Sequence, residues 1–319
     1  MAKRALITGI NGQDGGYLSE LLLAKGYEVF GTGGSNGHRS PKTINFLEND
    51  IADRDAVRDL VHDIRPDEIY NFAAQSHVRT SFEQPHLTVN TAGVGALNLF
   101  EAVRNVRPKA RVFQASSAEM FGNSADEDGF QRETTPMNPV SPYGCAKLLA
   151  YNLARVYRVS YGLYISNGIL FTHESPRRDT SFVISKICKE AVRIKYGLVG
   201  RLELGNTESV RDWGHARDYV RAMWLMVQKD EPDDFVCATG ITHSVADVTQ
   251  HVFKRLELDP DRHVKVDPSL MRSRDDQISC GNSTKLREAT GWRPEYTFES
   301  MLDEIVDHWL DKLKPELSR

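Results

Sequence analysis

Tyr143 and Lys147 stand at i and i+4 in the run Tyr143-Gly144-Cys145-Ala146-Lys147. On a helix that spacing puts both side chains on one face. A tyrosine with an ordinary pKa near 10 is a poor base at neutral pH. A neighbouring ammonium and a cationic nicotinamide would both favour the phenolate. Tyr143 could then take a proton from a hydroxyl while hydride leaves the same carbon. Upstream lies Gln114-Ala115-Ser116-Ser117-Ala118-Glu119. Ser117 can hydrogen-bond the reacting oxygen. Glu119 adds a carboxylate that simple hydride transfer does not need and that elimination of water does. The third chemical feature is Gly9-Ile10-Asn11-Gly12-Gln13-Asp14-Gly15. Its glycines permit a tight turn and close approach of a pyrophosphate to backbone. A helix opening there would present free N–H groups to the phosphates.

These residues need a frame. Lys3 to Thr8 reads as a buried strand and Tyr17 to Lys25 as the helix after the glycines. Strands are expected at Tyr27 to Thr32, Thr43 to Leu47, Glu68 to Ala73, Arg111 to Ala115 and Tyr164 to Leu170. Helices are expected at Asp53 to Ile64, Thr91 to Val106 and Tyr143 to Tyr161. Strand–helix alternation predicts an α/β fold with a Rossmann-type, doubly wound parallel sheet. Ser117, at a strand end, then faces the ligand crevice. After residue 171 the rhythm changes. Helices are expected at Ser181 to Tyr196, His215 to Gln228, Ser244 to Leu256 and Phe298 to Leu313, with a strand at Phe235 to Thr239. The division expected is a cofactor domain over 1–170, with 214–240 returning to it. A smaller α+β substrate lobe takes 171–213 and 241–319.

Composition excludes several classes. The 319 residues carry 40 Lys plus Arg against 44 Asp plus Glu, a net charge of −4, which disfavours bulk binding of nucleic acid. No apolar run approaches the roughly 20 residues of a membrane helix. Met1 to Leu6 leads straight into a strand, so no secretory signal is expected. The four cysteines form no CxxC pair, so neither a metal site nor a redox motif is expected, and a reducing cytoplasm fits.

The sequence resembles the extended short-chain dehydrogenase/reductases and, within them, the GDP-mannose 4,6-dehydratase family. The residues that carry this are TGINGQDGGYLSELL at 8–22, PDEIYNFAAQSHV at 66–78 and SSAEMFG at 116–122. SPYGCAK at 141–147, NGILFTHESPRRDTSFVISKI at 167–187 and LGNTESVRDWGHARDYVRAMW at 204–224 extend it over nearly the whole chain. The resemblance implies oxidation at C4 of a hexose, loss of water across C5 and C6, and return of the hydride to C6. Ser117, Glu119, Tyr143 and Lys147 would be catalytic. Gly9, Asn11, Gly12, Gln13, Asp14 and Gly15 would line the cofactor pyrophosphate. Asp50, Ile51, Phe72, Ala73, Ala74, Gln75 and Ser76 would line its adenosine side, and Lys147, His173 and Arg178 would also touch it. Ser76, Asn167, Lys186, Arg211, Arg272 and Asp275 would meet the GDP-sugar, together with Ser117, Glu119 and Tyr143. Trp213 and His215 fit either a binding or a packing role. Self-association as a homodimer or homotetramer is implied.

The end of the second strand, Gly31-Thr32-Gly33-Gly34-Ser35-Asn36, carries no acidic residue. That favours NADP, with Ser35, Asn36 and Arg39 as phosphate contacts, and leaves NAD open. Gly34-Ser35 stands where the family has an arginine pair, Leu87 where it has tyrosine, Thr172 where it has asparagine and Asp275 where it has glutamate. These changes suggest a shifted sugar pocket and keep GDP-manno-heptose as an alternative substrate. A 4-keto reductase or epimerase, or a cofactor-binding protein without catalysis, are further alternatives that Glu119 and the intact tetrad argue against.

Overall fold

The structure, a computed structural model, describes residues 2–33, 43–270 and 279–314. The strands are β1 Arg4–Thr8, β2 Glu28–Gly33, β3 Asn45–Glu48, β4 Glu68–Asn71, β5 Arg111–Ser117, β6 Ile165–Leu170, β7 Thr172–Glu174, β8 Leu202–Leu204, β9 Val210–His215, β10 Asp234–Cys237, β11 Thr242–Ser244 and β12 Val264–Val266. The helices are α1 Gln13–Ala24, α2 Arg54–Ile64, α3 Val78–Glu83, α4 Pro85–Val89, α5 Gly95–Val106, α6 Pro142–Tyr161, α7 Val183–Lys195, α8 Ala216–Gln228, α9 Val245–Arg255, α10 Pro260–His263, α11 Thr284–Thr290 and α12 Phe298–Leu313.

Seven strands form one parallel sheet in the order β10-β6-β5-β4-β1-β2-β3. Strand side chains alternate between its faces. Ala5, Ile7, Tyr70 and Phe113 pack into one core with α1 and α8. Leu6, Ile69, Val112 and Ile165 pack into another with α2, α5 and α6. Both faces are covered, as expected for a doubly wound sheet, and the near-continuous apolar strands follow from that. A separate core joins α7, α9 and α12 to β8. Two small sheets, β11-β9-β7 and β12-β8, complete that lobe.

Asp234 fastens β10 to the sheet edge. It accepts from Arg158 Nη2 at 2.7 Å, Asn167 Nδ2 at 2.8 Å and the Tyr151 hydroxyl at 3.1 Å. Asn167, expected to meet substrate, is part of this cluster. It is fully buried, also accepts from Ser116 Oγ at 3.3 Å, and holds β10 against β6.

Two helices depart from the sequence reading. α1 begins at Gln13 rather than Tyr17, because the glycine-rich turn itself supplies the first helical turn. The helix expected from Thr91 starts at Pro85 and passes through a π-turn at Asn90–Val94 before α5. Pro85 at the first position presets the backbone for that earlier start.

Candidate active site

The floor of the site is a row of buried polar side chains at the C-terminal ends of β1 and β4 and the middle of β5. The Thr8 hydroxyl donates to Asn71 Oδ1 at 2.6 Å, and Asn71 Nδ2 donates to Gln114 Oε1 at 2.7 Å. Thr8 Oγ1 also accepts the amides of Phe72 and Ala73, each at 3.1 Å. This row was not foreseen; isolated polar residues in apolar strands were its only signal.

On this floor sits the glycine-rich turn. Gly9 has φ +70°, and a Cβ there would lie 3.1 Å from Ala73 N. At Gly15 a Cβ would lie 2.5 Å from Ile10 Cα. Gly12 opens α1 with no side-chain cap on the first helical amides. Bare glycine backbone and free N–H groups fit a dinucleotide pyrophosphate.

The helix start is tied to the segment after β6. Gln13 Nε2 donates to His173 O at 3.0 Å, and Ser175 Oγ donates to Gln13 Oε1 at 2.7 Å. His173 Nε2 lies 3.0 Å from both Asp14 oxygens, and its Nδ1 lies 2.7 Å from Phe171 O. Burial alone would lower the His173 pKa, but Asp14 outweighs it and the net shift is upward. Burial would raise Asp14, yet His173 and Arg178 hold it below the usual carboxylate range. Arg178 lays its guanidinium 3.5 Å over the Phe182 ring, and its Nε is 3.5 Å from Glu174 Oε1. Burial raises the Glu174 pKa. The pairing of Gln13 with Ser175 and the burial of Glu174 were not expected; their only sequence signal was the HESP run.

Tyr143 and Lys147 enter from the first turns of α6. Ser141 caps this helix by accepting Gly144 N at 3.0 Å, and Pro142 opens it. Gly144 is where α6 meets the Glu119 turn, since a Cβ there would be 2.6 Å from Glu119 O. Ser117, Glu119 and Tyr143 are thereby gathered into one place. Burial lifts Tyr143 to about 12, against the downward pull of a Ser117 hydrogen bond and of Arg178, while Glu119 adds to the rise. Lys147 is not the hydrogen-bond partner of the phenol. Its Nζ donates to Ala115 O at 2.8 Å and lies 5.7 Å from the Tyr143 ring centroid. Burial lowers Lys147 to about 8, with Asp14 opposing.

The remaining expected residues are spread more widely. Phe72 and Ala73 abut Gly9. Ile51 is buried and its carbonyl accepts Asn98 Nδ2 at 3.1 Å; Asp50 is exposed and accepts Ala52 N at 2.9 Å. Ala74, Gln75 and Ser76 continue from β4, with Gln75 accepting from the Thr88 hydroxyl at 3.0 Å. Lys186, on α7, donates to Glu203 O at 2.7 Å; Arg211, on β9, donates to Val210 O at 2.8 Å. Ser35, Asn36, Arg39, Arg272 and Asp275 lie outside the described residues. Trp213 and His215 pack. Trp213 is buried in the lobe core, and His215 stacks on Tyr296 at 3.8 Å with burial pushing its pKa to about 3. Asp212, just before Trp213, was overlooked. It accepts Thr239 N, Thr239 Oγ1 and Gly240 N at 2.9, 2.6 and 2.8 Å, which fixes the turn after β10.

The sequence profile of GDP-mannose 4,6 dehydratase matches residues 6–305. The chain belongs to the GDP-mannose 4,6-dehydratase family. GDP-mannose 4,6 dehydratase 1 of Arabidopsis thaliana is 42% identical, over 98% of this chain and 91% of its own length. GDP-mannose 4,6-dehydratase of Yersinia enterocolitica is 41% identical, over 98% of this chain and 95% of its own. Among solved structures, the UDP-glucose 4-epimerase of Thermus thermophilus in complex with NAD superposes with a TM-score of 0.85 at 29% identity, covering 96% of this chain and 98% of that one. The chain thus shares its fold with an epimerase.

Proposed function

We propose that this chain converts GDP-mannose to GDP-4-keto-6-deoxymannose. The observation that carries the reading is the convergence of Ser117, Glu119 and Tyr143 where α6 meets the end of β5. A bound nicotinamide cofactor supplies hydride acceptance and return, so the net reaction is a dehydration. Tyr143 takes the proton of the 4-hydroxyl, and the Ser117 hydroxyl holds the same oxygen. Lys147 stays buried under the site as a cation and favours the phenolate through space rather than by contact. Once C4 is a ketone, the C5 proton is acidified. Glu119 removes it and passes it to the departing C6 hydroxyl; as hydride returns to C6 a proton adds at C5, which balances the one Tyr143 took from the 4-hydroxyl. Arg178 and the α1 amides would hold the cofactor phosphates, and Lys186 and Arg211 would take the substrate diphosphate. The cofactor is NADP, since β2 ends in Gly31-Thr32-Gly33 with no carboxylate to repel a 2′-phosphate. The protein works as a homodimer or homotetramer in the cytoplasm. No helix among the described residues is long and apolar enough to cross a membrane.

A paired turnover assay tests the reading. GDP-mannose and GDP-manno-heptose are offered separately without added cofactor, and products are followed by mass. The expected result is loss of water from GDP-mannose with no net consumption of reduced cofactor. Water loss from the heptose alone would reassign the substrate. Stoichiometric consumption of NADPH would replace dehydration by reduction.

A further inference from the structure

A cleft of about 660 Å³ runs from the glycine-rich turn past Arg178 to α7 and α12. That volume suits a nucleotide-sized ligand. Its inner end, at Gly12, Gln13 and Arg178, is the cofactor cradle. Its outer end is built from Lys189 on α7 and from His308, Trp309 and Lys312 on α12. None of these four residues has a part in the dehydration.

The outer end holds an excess of donors. Lys189 and Lys312 place their ammonium nitrogens 5.4 and 4.7 Å from the centroid of the same Trp309 ring. Among the described residues, neither is within ion-pair distance of a carboxylate. Trp309 is 6% exposed, and its indole Nε1 is buried with no hydrogen-bond partner. Native proteins pair nearly all buried donors, so this N–H is an exception. Two like charges against one ring call for a counter-charge. The carboxylates on the lining do not supply it. Glu20 lies 2.5 Å from Arg177 Nη2, and Asp179 accepts Ser181 N at 2.8 Å.

We propose that the outer end of this cleft binds a phosphate group, at a site separate from the cofactor pyrophosphate. Two ammonium groups arriving from two helices onto one ring match an oxyanion with several acceptor oxygens better than the two-oxygen plane of a carboxylate. The group belongs either to free phosphate or to a small phosphate ester. The site does not depend on the reaction assigned above.

The test uses the cofactor-loaded protein, so that the inner end is filled. The chain has four tryptophans, and isotope-labelled indole resonances report on each; the Trp309 signal is assigned with Trp309→Phe. Inorganic phosphate is titrated in, then ribose 5-phosphate, with chloride at matched ionic strength as the control. The expected result is a saturable shift of the Trp309 indole signal with phosphate and not with chloride. Binding should weaken at least about tenfold in Lys189→Gln/Lys312→Gln, which loses both charge-assisted contacts. Lys312→Gln alone, at an exposed position, serves if the double variant fails to fold. Tighter binding of ribose 5-phosphate assigns the site to esters, and equal binding assigns it to free phosphate. No saturable shift, the same shift with chloride, or unchanged affinity in the lysine variants overturns the proposal.

Discussion

His173 Nε2 stands 3.0 Å from each oxygen of Asp14, joining residues 159 positions apart. One lies in the first turn of α1, beside the cofactor cradle; the other follows β6 at the lobe boundary. The histidine ends above its usual pKa and the aspartate below its own. The stabilisation from His173 is therefore full below about pH 6.5 and is lost as pH rises through the raised value. That from Asp14 is present above about pH 3.9 and is lost as pH falls through the lowered value. Thermal unfolding of the wild type and of His173→Gln, without cofactor, should differ most between about pH 4 and 6.5. A gap that widens above that window would show that the pair does not stabilise the fold as an ion pair.

Glu119→Gln should separate oxidation from elimination. Water loss should fall by about 10²–10⁴-fold, the range for a lost general base. Addition of GDP-mannose should still give one equivalent of reduced cofactor, seen in its fluorescence. A variant that loses water at the wild-type rate would remove Glu119 from the reaction.

Lys147, at about 8, sets an upper limit in pH. The free-enzyme profile, kcat/KM against pH, should fall above about pH 8 as the ammonium is lost. In Lys147→Arg the guanidinium stays charged, so that limb should move upward even though the rate drops. An unmoved limb would assign it to another group.

Gly15→Ala forces a Cβ to within 2.5 Å of Ile10 Cα. Overpacking of this kind costs about 1–3 kcal/mol. The variant should melt earlier and purify without bound nicotinamide, read from the absorbance of the released cofactor.

Leu149, Val156 and Val159 share an exposed face of α6, at 42, 50 and 83% exposure. Such a stripe suits packing against a second copy. Light scattering should give at least a dimer for the wild type and a monomer for Val156→Glu. An unchanged mass would place the interface elsewhere.

Local patterns were legible in the sequence and distant ones were not. The bounds of α12 agree because Phe298 to Leu313 is amphipathic and Thr297 caps it. Tyr143 and Lys147 share a face because helix geometry alone decides it. The partner of Lys147, Ala115 O, is 32 positions away and belongs to the neighbouring strand, which no spacing rule reaches. The three-residue strands β7, β8, β11 and β12 went unread because they are too short for a period to show. The tie of Asn167 to Asp234 went unread because that carboxylate arrives 67 positions later.

That late arrival has a consequence for how the molecule is made. The sheet's edge at β6 stays unfinished until the chain has passed through β7, β8, β9, α7 and α8 and come back as β10. During synthesis β6 waits with a bare edge, and Asn167 and Arg158 wait without their carboxylate. Any chain stopped before residue 234 is left with an open template for strand addition. The excursion carries β7, β8, β9 and α7 off the sheet before α8 packs back onto it, so the edge that Asp234 closes is the last part of the sheet to be completed.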